Sequence, residues 1–173
     1  MTDSDKTVIG EIADLLESLA KHRYFLRYTV RDLTDDQAAR RTTASELCLG
    51  GLIKHVALTE QRWTNFMVDG PFAFSPQRED APADWAGGFR MLDGETLAGL
   101  LNEYEQVARR TDELARTLPD LDVTQPLPEA PWFEPGARWS ARRVLLHLIA
   151  ETAQHAGHAD IIRECLDGAK SMG

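Results

Sequence analysis

Cysteine is scarce in this sequence, with only Cys48 and Cys165 among 173 residues. Two cysteines are too few for the disulfide framework of a small secreted protein, so we expect two reduced thiols in a cytoplasmic protein. No apolar run is long enough to span a membrane, and the polar start MTDSDKT lacks the basic and apolar regions of a signal peptide. These absences predict a soluble, cytoplasmic protein.

Positive charge is the second scarcity. Lys and Arg number 19 against 28 Asp and Glu, which gives a formal net charge of −9, and the basic residues are scattered along the chain. Such a surface repels phosphate backbones and anionic lipid headgroups. We therefore expect neither nucleic acid nor a membrane surface as a partner.

Strand-like alternation of apolar and polar residues is also missing. Four long segments instead have apolar residues at steps of three and four, the period of an amphipathic helix. Asp93 is a candidate N-cap for the third helix, Ser140 is one for the last, and Gly168 is a candidate C-terminal cap. A short helix capped by Thr34 or Asp35 follows the first segment. The long helices are expected over about 5–32, 45–68, 93–118 and 140–167.

Two connections are long and poor in helical signals. Residues 70–92 are rich in Gly, Pro and aromatics, and residues 119–138 contain five of the eight prolines, which resist helix interiors. The pattern predicts an all-α protein, a four-helix bundle with two long connecting loops that forms a single domain over residues 1–173. Connections of this length also fit topologies other than simple up-down-up-down.

Ionisable side chains lie on the core-facing side of the last helix. In HLIAETAQHAGHAD, residues His147, Glu151, His155 and His158 fall within about 80° of one another at 100° per residue, on the same face as Leu148 and neighbouring apolar residues. An uncompensated charge there costs several kcal/mol or shifts its pKa until it is neutral. The cluster therefore needs a partner, such as a metal ion or a buried hydrogen-bond network.

The spacing favours a metal. Glu151 and His155 are one turn apart, so they can hold one ion from successive turns, and His55 on the facing second helix can supply a third ligand. Two imidazoles and one carboxylate leave an open position, as in a catalytic zinc site. A rival ligand set of His55, His155 and His158 satisfies the spacing as well.

Other candidate residues have supporting or structural roles. His147 and His158 lie at the ends of the same seam and could orient Glu151 or water, or assist proton transfer. His22, on the first helix, fits a hydrogen-bonded core histidine better than a fourth ligand. Neither Cys48 nor Cys165 has a paired base, so neither is expected to be a nucleophile.

The chain resembles the DinB-like metal-binding bundles, which include thiol-dependent S-transferases and the mycothiol-dependent maleylpyruvate isomerases. LGGLIKHVALTEQRW is similar to the family's second helix, and WSARRVLLHLIAETAQHAGHADIIRECLDG is similar to its last. The resemblance places the metal ligands at His55, Glu151 and His155. Many members have histidine where this chain has Glu151, and glutamate there is typical of the isomerase branch.

The resemblance implies an activity. A divalent ion, most simply zinc, stabilises the thiolate of a low-molecular-weight thiol, which then attacks a small electrophile. Mycothiol is favoured over bacillithiol because of the glutamate, and the loops 70–92 and 119–138 are expected to shape the electrophile site. A homodimer of two antiparallel bundles is a reasonable expectation. The alternatives are a metal-dependent hydrolase of a small substrate, and a non-catalytic bundle that binds a ligand or partner.

Overall fold

A computed structural model describes residues 10–78 and 86–172 of the chain. Within these residues the fold has four long helices, one short helix and one pair of short strands. The helices are α1 (Glu11–Tyr28), α2 (Asp35–Ala39), α3 (Leu49–Asp69), α4 (Leu97–Thr117) and α5 (Ala141–Asp167). The strands are β1 (Thr124–Pro126) and β2 (Arg138–Ser140), and two 3₁₀ helices span Gly70–Phe74 and Ala86–Phe89. The prediction of an all-α bundle is confirmed.

The first and last long helices run parallel. Arg142 at the start of α5 forms an ion pair with Glu11 at the start of α1. At the other end, the Arg163 guanidinium donates to the carbonyl oxygen of Thr29, just beyond α1, at 2.8 Å. These two contacts are about 30 Å apart along the helix axes, at 1.5 Å per residue.

The two middle helices also run parallel to each other. Lys54 of α3 pairs with Glu95, just before α4, at 2.6 Å, and further along, the Thr64 and Thr111 hydroxyls lie 2.8 Å apart. Arg23 and Arg27 of α1 pair with Asp112 and Glu105 of α4, in reversed order along the two helices, so α1 and α4 are antiparallel. The order of the four long helices is therefore up-down-down-up. A parallel pair requires its connection to travel the length of the bundle, which explains why the segment between α3 and α4 is long. No helix among residues 10–78 and 86–172 is long and apolar enough to cross a bilayer.

A polar layer divides the core into two apolar clusters. One cluster includes Leu26, Leu52 and Ala159, and the other includes Leu19, Phe66 and Leu148. Between them, each long helix contributes a polar residue to the interior, listed here in chain order: Arg23, Glu60, Thr111 and Thr152.

Arg23 and Glu60 form a buried ion pair at the centre of the layer. Arg23 is 4% exposed and Glu60 is 1% exposed. The guanidinium donates to both carboxylate oxygens of Glu60, at 3.1 and 2.5 Å, and to Asp112 Oδ1 at 2.8 Å. Burial disfavours the charged guanidinium, but Glu60 and Asp112 outweigh this and raise the pKa of Arg23 above its ordinary value.

Several predicted element bounds are wrong, each for a local reason. The first helix ends at Tyr28 rather than near residue 32, because the chain turns there and Asp32 adopts φ +59°. The second begins at Leu49 rather than Ser45, because the Cys48 sulfur accepts from the Gly51 amide and serves as the N-cap.

Asp93 is not the N-cap of the third long helix. Residues 92–95 form a turn in which the Glu95 amide donates to the Leu92 carbonyl oxygen at 3.0 Å. Thr96 is the cap, since its hydroxyl accepts from the Gly99 amide at 3.1 Å. The predicted caps Thr34, Ser140 and Gly168 are confirmed.

The second connecting segment contains the antiparallel strands β1 and β2, which the lack of alternation did not predict. Thr124 lies opposite Ser140, and Pro126 opposite Arg138. Three-residue strands are too short to show an alternating pattern, so periodicity could not detect them. The pair ties the start of α5 to the chain after α4 and projects residues 127–137 as a loop.

Candidate functional site

The histidine and glutamate face of α5 meets α3 beside the polar layer. His155 is 9% exposed, and its Nε2 lies 3.6 Å from Oε2 of Glu151, one turn earlier. The imidazole rings of His55 and His155 pack edge to face, with their centroids 4.8 Å apart. One ligand atom from each of His55, Glu151 and His155 lies within 4.8 Å of the others. Within residues 10–78 and 86–172, these are the side chains whose donor atoms converge in this way.

Two of the three groups, His55 and Glu151, have pKa values shifted toward the protonation states of metal ligands. Burial, reinforced by neighbouring His155, lowers the pKa of His55 to about 4 despite the opposing influence of Glu151. The pKa of Glu151 is lowered below its ordinary value, mainly by interaction with His155. At neutral pH the site therefore presents a neutral imidazole and an ionised carboxylate, the forms in which these side chains bind metal.

The donor set fits a divalent metal ion. Two imidazole nitrogens and one carboxylate oxygen are the ligands of the open catalytic type of zinc site, in which donors bonded at about 2.0–2.2 Å leave a fourth position for water or substrate. The three donor atoms lie up to 4.8 Å from one another, farther apart than atoms bonded to a single ion, so the side chains would draw together around a bound ion. Helices α3 and α5 hold these side chains on rigid backbone, so the site has the residues and the scaffold that an ion requires.

His158 and His147, the predicted supporting residues, lie on opposite sides of this group. His158 Nδ1 is 3.3 Å from Nδ1 of His155, the nitrogen that points away from Glu151. If His155 Nε2 is a ligand, its Nδ1 carries the proton and donates it to His158, which fixes the ring orientation. His147 Nε2 is 4.0 Å from Oε1 of Glu151, on the other side of the carboxylate.

His147 is enclosed by tryptophans. Its ring centroid is 4.9 Å from that of Trp63 and 5.2 Å from that of Trp139, and the two indoles stack on each other at 4.6 Å. Burial lowers the pKa of His147 below its ordinary value, so this imidazole is also neutral at pH 7. The indoles cover part of the His147 ring, which is 4.0 Å from Glu151.

Phe89 is a site residue that sequence reasoning missed. Its ring stacks on His55 with centroids 3.8 Å apart and an angle of 19° between the planes. The 3₁₀ helix Ala86–Phe89 approaches α3 this closely because Gly51 has no side chain. A Cβ at position 51 would lie 1.9 Å from the Phe89 carbonyl oxygen. The glycine pair in LGGLIKH was the available signal, since adjacent glycines within a helix often mark close backbone packing.

Substituting Gly51 with alanine is expected to lower stability by about 1–3 kcal/mol, because the new Cβ displaces the segment that carries Phe89. In a helix the same substitution normally stabilises by about 0.5–1 kcal/mol. Gly157, in α5, is the matched control, since nothing lies within 4 Å of a Cβ placed there. Urea unfolding should show opposite signs for G51A and G157A, and equal stabilisation by both would contradict the close packing of Phe89.

The remaining sequence candidates stay outside the converging group. His22 on α1 is not among the donors that converge, within the part of the chain that the structure describes. Nor do the donors of the rival set, His55, His155 and His158, form a converging group within the described residues. His158 lies beside Nδ1 of His155, the nitrogen that points away from Glu151. Cys48 is buried as the α3 cap, and Cys165 is exposed on α5.

A cavity of about 480 Å³ adjoins the site. His55, His147 and Glu151 lie on its inner side, and Trp63, Phe74, Trp132 and Phe133 contribute aromatic walls. The volume is within the usual range for small-molecule sites. Of the two loops predicted to shape a substrate site, 119–138 supplies Trp132 and Phe133 to the cavity, and 70–92 supplies Phe74. Phe89, also in 70–92, stacks on His55. Residues 79–85 of the latter lie outside the described residues.

Comparison with known proteins identifies the family. The model of the mycothiol-S-transferase family, a DinB-like family, matches residues 14–168, from the first turn of α1 through the end of α5. No match is found among curated proteins. The match includes every side chain of the converging group, and the family's name indicates a transferase with mycothiol as the thiol. Because the match extends over most of the sequence, the chain belongs to the mycothiol-S-transferase family.

Proposed function

We propose that the protein is a divalent-metal-dependent S-transferase that joins the sulfur of mycothiol to an electrophilic carbon of a small molecule. The observation that carries the proposal is the convergence of His55, Glu151 and His155 within 4.8 Å beside a cavity. Membership of the mycothiol-S-transferase family supports the choice of thiol. Zinc is the ion that this donor set suits best.

A divalent ion held there would supply positive charge that favours the thiolate over the thiol at neutral pH. Glu151 contributes the only formal negative charge of the three ligands, so a net positive charge remains. In the reaction the thiol proton leaves to solvent, a carbon–sulfur bond forms, and the leaving group departs with its bonding electron pair.

The residues around the ligands hold the site in place. His158 orients the His155 ring through its Nδ1, and Phe89 restrains the plane of the His55 ring. Trp63 and Trp139 shield part of the His147 ring from water. Exclusion of water strengthens the interactions between charges in the site and limits competing hydrolysis of the electrophile.

Metal removal is the direct test. Dialysis against a chelator is expected to abolish mycothiol-dependent turnover and to lower the melting temperature by several degrees, because an ion bound only by the folded state stabilises it. One equivalent of zinc should restore both. Elemental analysis of protein purified without a metal-affinity tag gives the starting occupancy.

The same experiment separates the alternatives. Product release without mycothiol would identify a hydrolase instead. A melting temperature unaffected by chelator and by added zinc, in protein that contains no metal, would identify a non-catalytic bundle with a structural histidine cluster.

A further inference from the structure

The outer wall of the cavity is a built aromatic surface. Phe133 packs edge to face on Trp139 with centroids 5.9 Å apart, Trp139 stacks on Trp63, and Trp63 packs against Phe74 at 5.0 Å. The chain of rings therefore links the start of α5, α3 and the 3₁₀ helix Gly70–Phe74. Trp63, Phe74 and Phe133 line the cavity, and Trp139 joins Phe133 to Trp63 through its ring contacts, so this side of the cavity is largely aromatic. Arg62 and Glu129 also line the cavity.

Trp132 lies at the mouth of the cavity and is the most exposed large apolar side chain among the described residues, with 76% of its surface accessible. Its recorded ring contact is with Phe133, at 6.2 Å. Exposing an indole forgoes the burial that stabilises such side chains elsewhere in the core. An unburied tryptophan beside an aromatic wall is suited to cover a flat ligand.

The loop that carries Trp132 is held in position by backbone hydrogen bonds. Beyond the strand pair, the Leu127 amide donates to the Ala137 carbonyl oxygen at 2.9 Å, and the Phe133 amide donates to the Ala130 carbonyl oxygen at 3.0 Å. Trp132 is thus presented from a braced turn. Its position relative to the cavity follows from the fold of residues 124–140.

We propose that this cavity takes the electrophile, and that the preferred electrophiles carry a planar aromatic ring, which lies between Trp132 and the aromatic wall. This inference rests on the proposed S-transferase function, whose ligands Glu151 and His55 border the same cavity. The aromatic rings of the wall contribute dispersion and ring-quadrupole contacts to such a ligand. An aliphatic electrophile fits the reaction but gains nothing from the wall.

Two probes of different shape test the proposal with the metal-loaded protein and mycothiol. With 1-chloro-2,4-dinitrobenzene a carbon–sulfur bond forms at the ring, the carbon–chlorine bond breaks, chloride leaves with the electron pair and the thiol proton goes to solvent. Iodoacetamide undergoes the analogous displacement of iodide without an aromatic ring. Trp132→Ala is expected to lower kcat/KM about tenfold for the aryl chloride and less than twofold for iodoacetamide.

Two further variants control for general effects. Trp132→Phe keeps a flat ring and is expected to recover most of the aryl chloride activity. Tyr24→Ala removes another exposed aromatic side chain, on α1, with 59% of its surface accessible. This variant should not change kcat/KM for either electrophile. Because Trp132 is exposed and Tyr24 is on the surface, all three variants are expected to fold.

A binding arm keeps the inference separate from the proposed function. Calorimetry with 1,3-dinitrobenzene, which has no leaving group, should show affinity about tenfold weaker for Trp132→Ala than for wild type, whether or not the protein turns over any electrophile. No turnover of either electrophile would defeat the S-transferase proposal alone. If Trp132→Ala lowered kcat/KM equally for both electrophiles and raised the KM for mycothiol, the thiol would lie at the wall and the inference would be overturned. Unchanged affinity for 1,3-dinitrobenzene in this variant would overturn it as well.

Discussion

Replacing His155 with alanine is expected to abolish metal uptake and to lower mycothiol-dependent turnover by more than about 100-fold, while α-helical content stays unchanged. The variant removes one of three donors, and removal of even the outer partners of metal ligands commonly costs about 10–100-fold. The lost packing costs about 1–3 kcal/mol, which a domain stable by 5–15 kcal/mol survives. Elemental analysis, circular dichroism and a turnover assay measure the three effects.

His22→Ala is the matched control, because it deletes an imidazole from α1 without touching the converging group. This variant should keep one equivalent of metal and most of the activity. Full metal content in the His155 variant would show that the ion is bound at another site. Loss of metal in both variants would point to a general disturbance of the bundle.

Glu60→Ala is expected to be the most destabilising single substitution, with a loss of about 3–5 kcal/mol in the free energy of unfolding. The variant leaves the Arg23 guanidinium buried with only the partly exposed Asp112 as partner. Asp112→Ala should cost less, because the Asp112 side chain is 24% exposed and water can replace its carboxylate. Urea unfolding followed by circular dichroism compares the two.

A double replacement distinguishes loss of the pair from loss of packing. Arg23→Met with Glu60→Leu removes both charges and retains volume, so it should recover most of the stability that Glu60→Ala loses. This variant keeps the test informative if Glu60→Ala fails to fold. A loss below about 1 kcal/mol for Glu60→Ala would mean that the guanidinium reaches water, contrary to its 4% exposure.

The helices and three of their caps could be predicted because their signals are local. Ser140 and Gly168 act within one turn of their own positions, as Thr34 does. The convergence of Glu151 and His155 follows from helical geometry in the same way. For these two residues to meet His55, α3 must in addition face α5. This arrangement is expected when amphipathic helices pack into a small bundle.

The polar layer had a sequence signal that the helical pattern obscured. Arg23 lies four residues after Leu19 and three before Leu26, and Glu60 lies in the same way between Val56 and Trp63. Each is thus a charge at a core position of its stripe, with opposite signs on two helices. When each helix is read alone, a charged residue in the apolar stripe is simply an exception to the pattern. When two helices have such residues with opposite charges, the sequence predicts a buried ion pair.

Phe89 and the aromatic wall could not be predicted for a different reason. Stacking on His55 depends on a chain segment about 35 residues away in sequence, and the approach is set by the space that Gly51 leaves. Likewise, Trp139 and Trp63 stack because two short strands fix the start of α5. Contacts of this kind are decided by three-dimensional packing, which periodicity does not encode.

The buried pair of Arg23 and Glu60 also has a consequence for the precision of the site. Glu60 is five residues from His55, about 7.5 Å along α3. Arg23 belongs to α1, and α5 contacts both ends of α1 through Arg142 and Arg163. Sliding α3 by one turn would break the ion pair and move His55 by 5.4 Å relative to its partners. A charge pair outside the converging group thus sets the axial alignment of the helices that bring His55, Glu151 and His155 together.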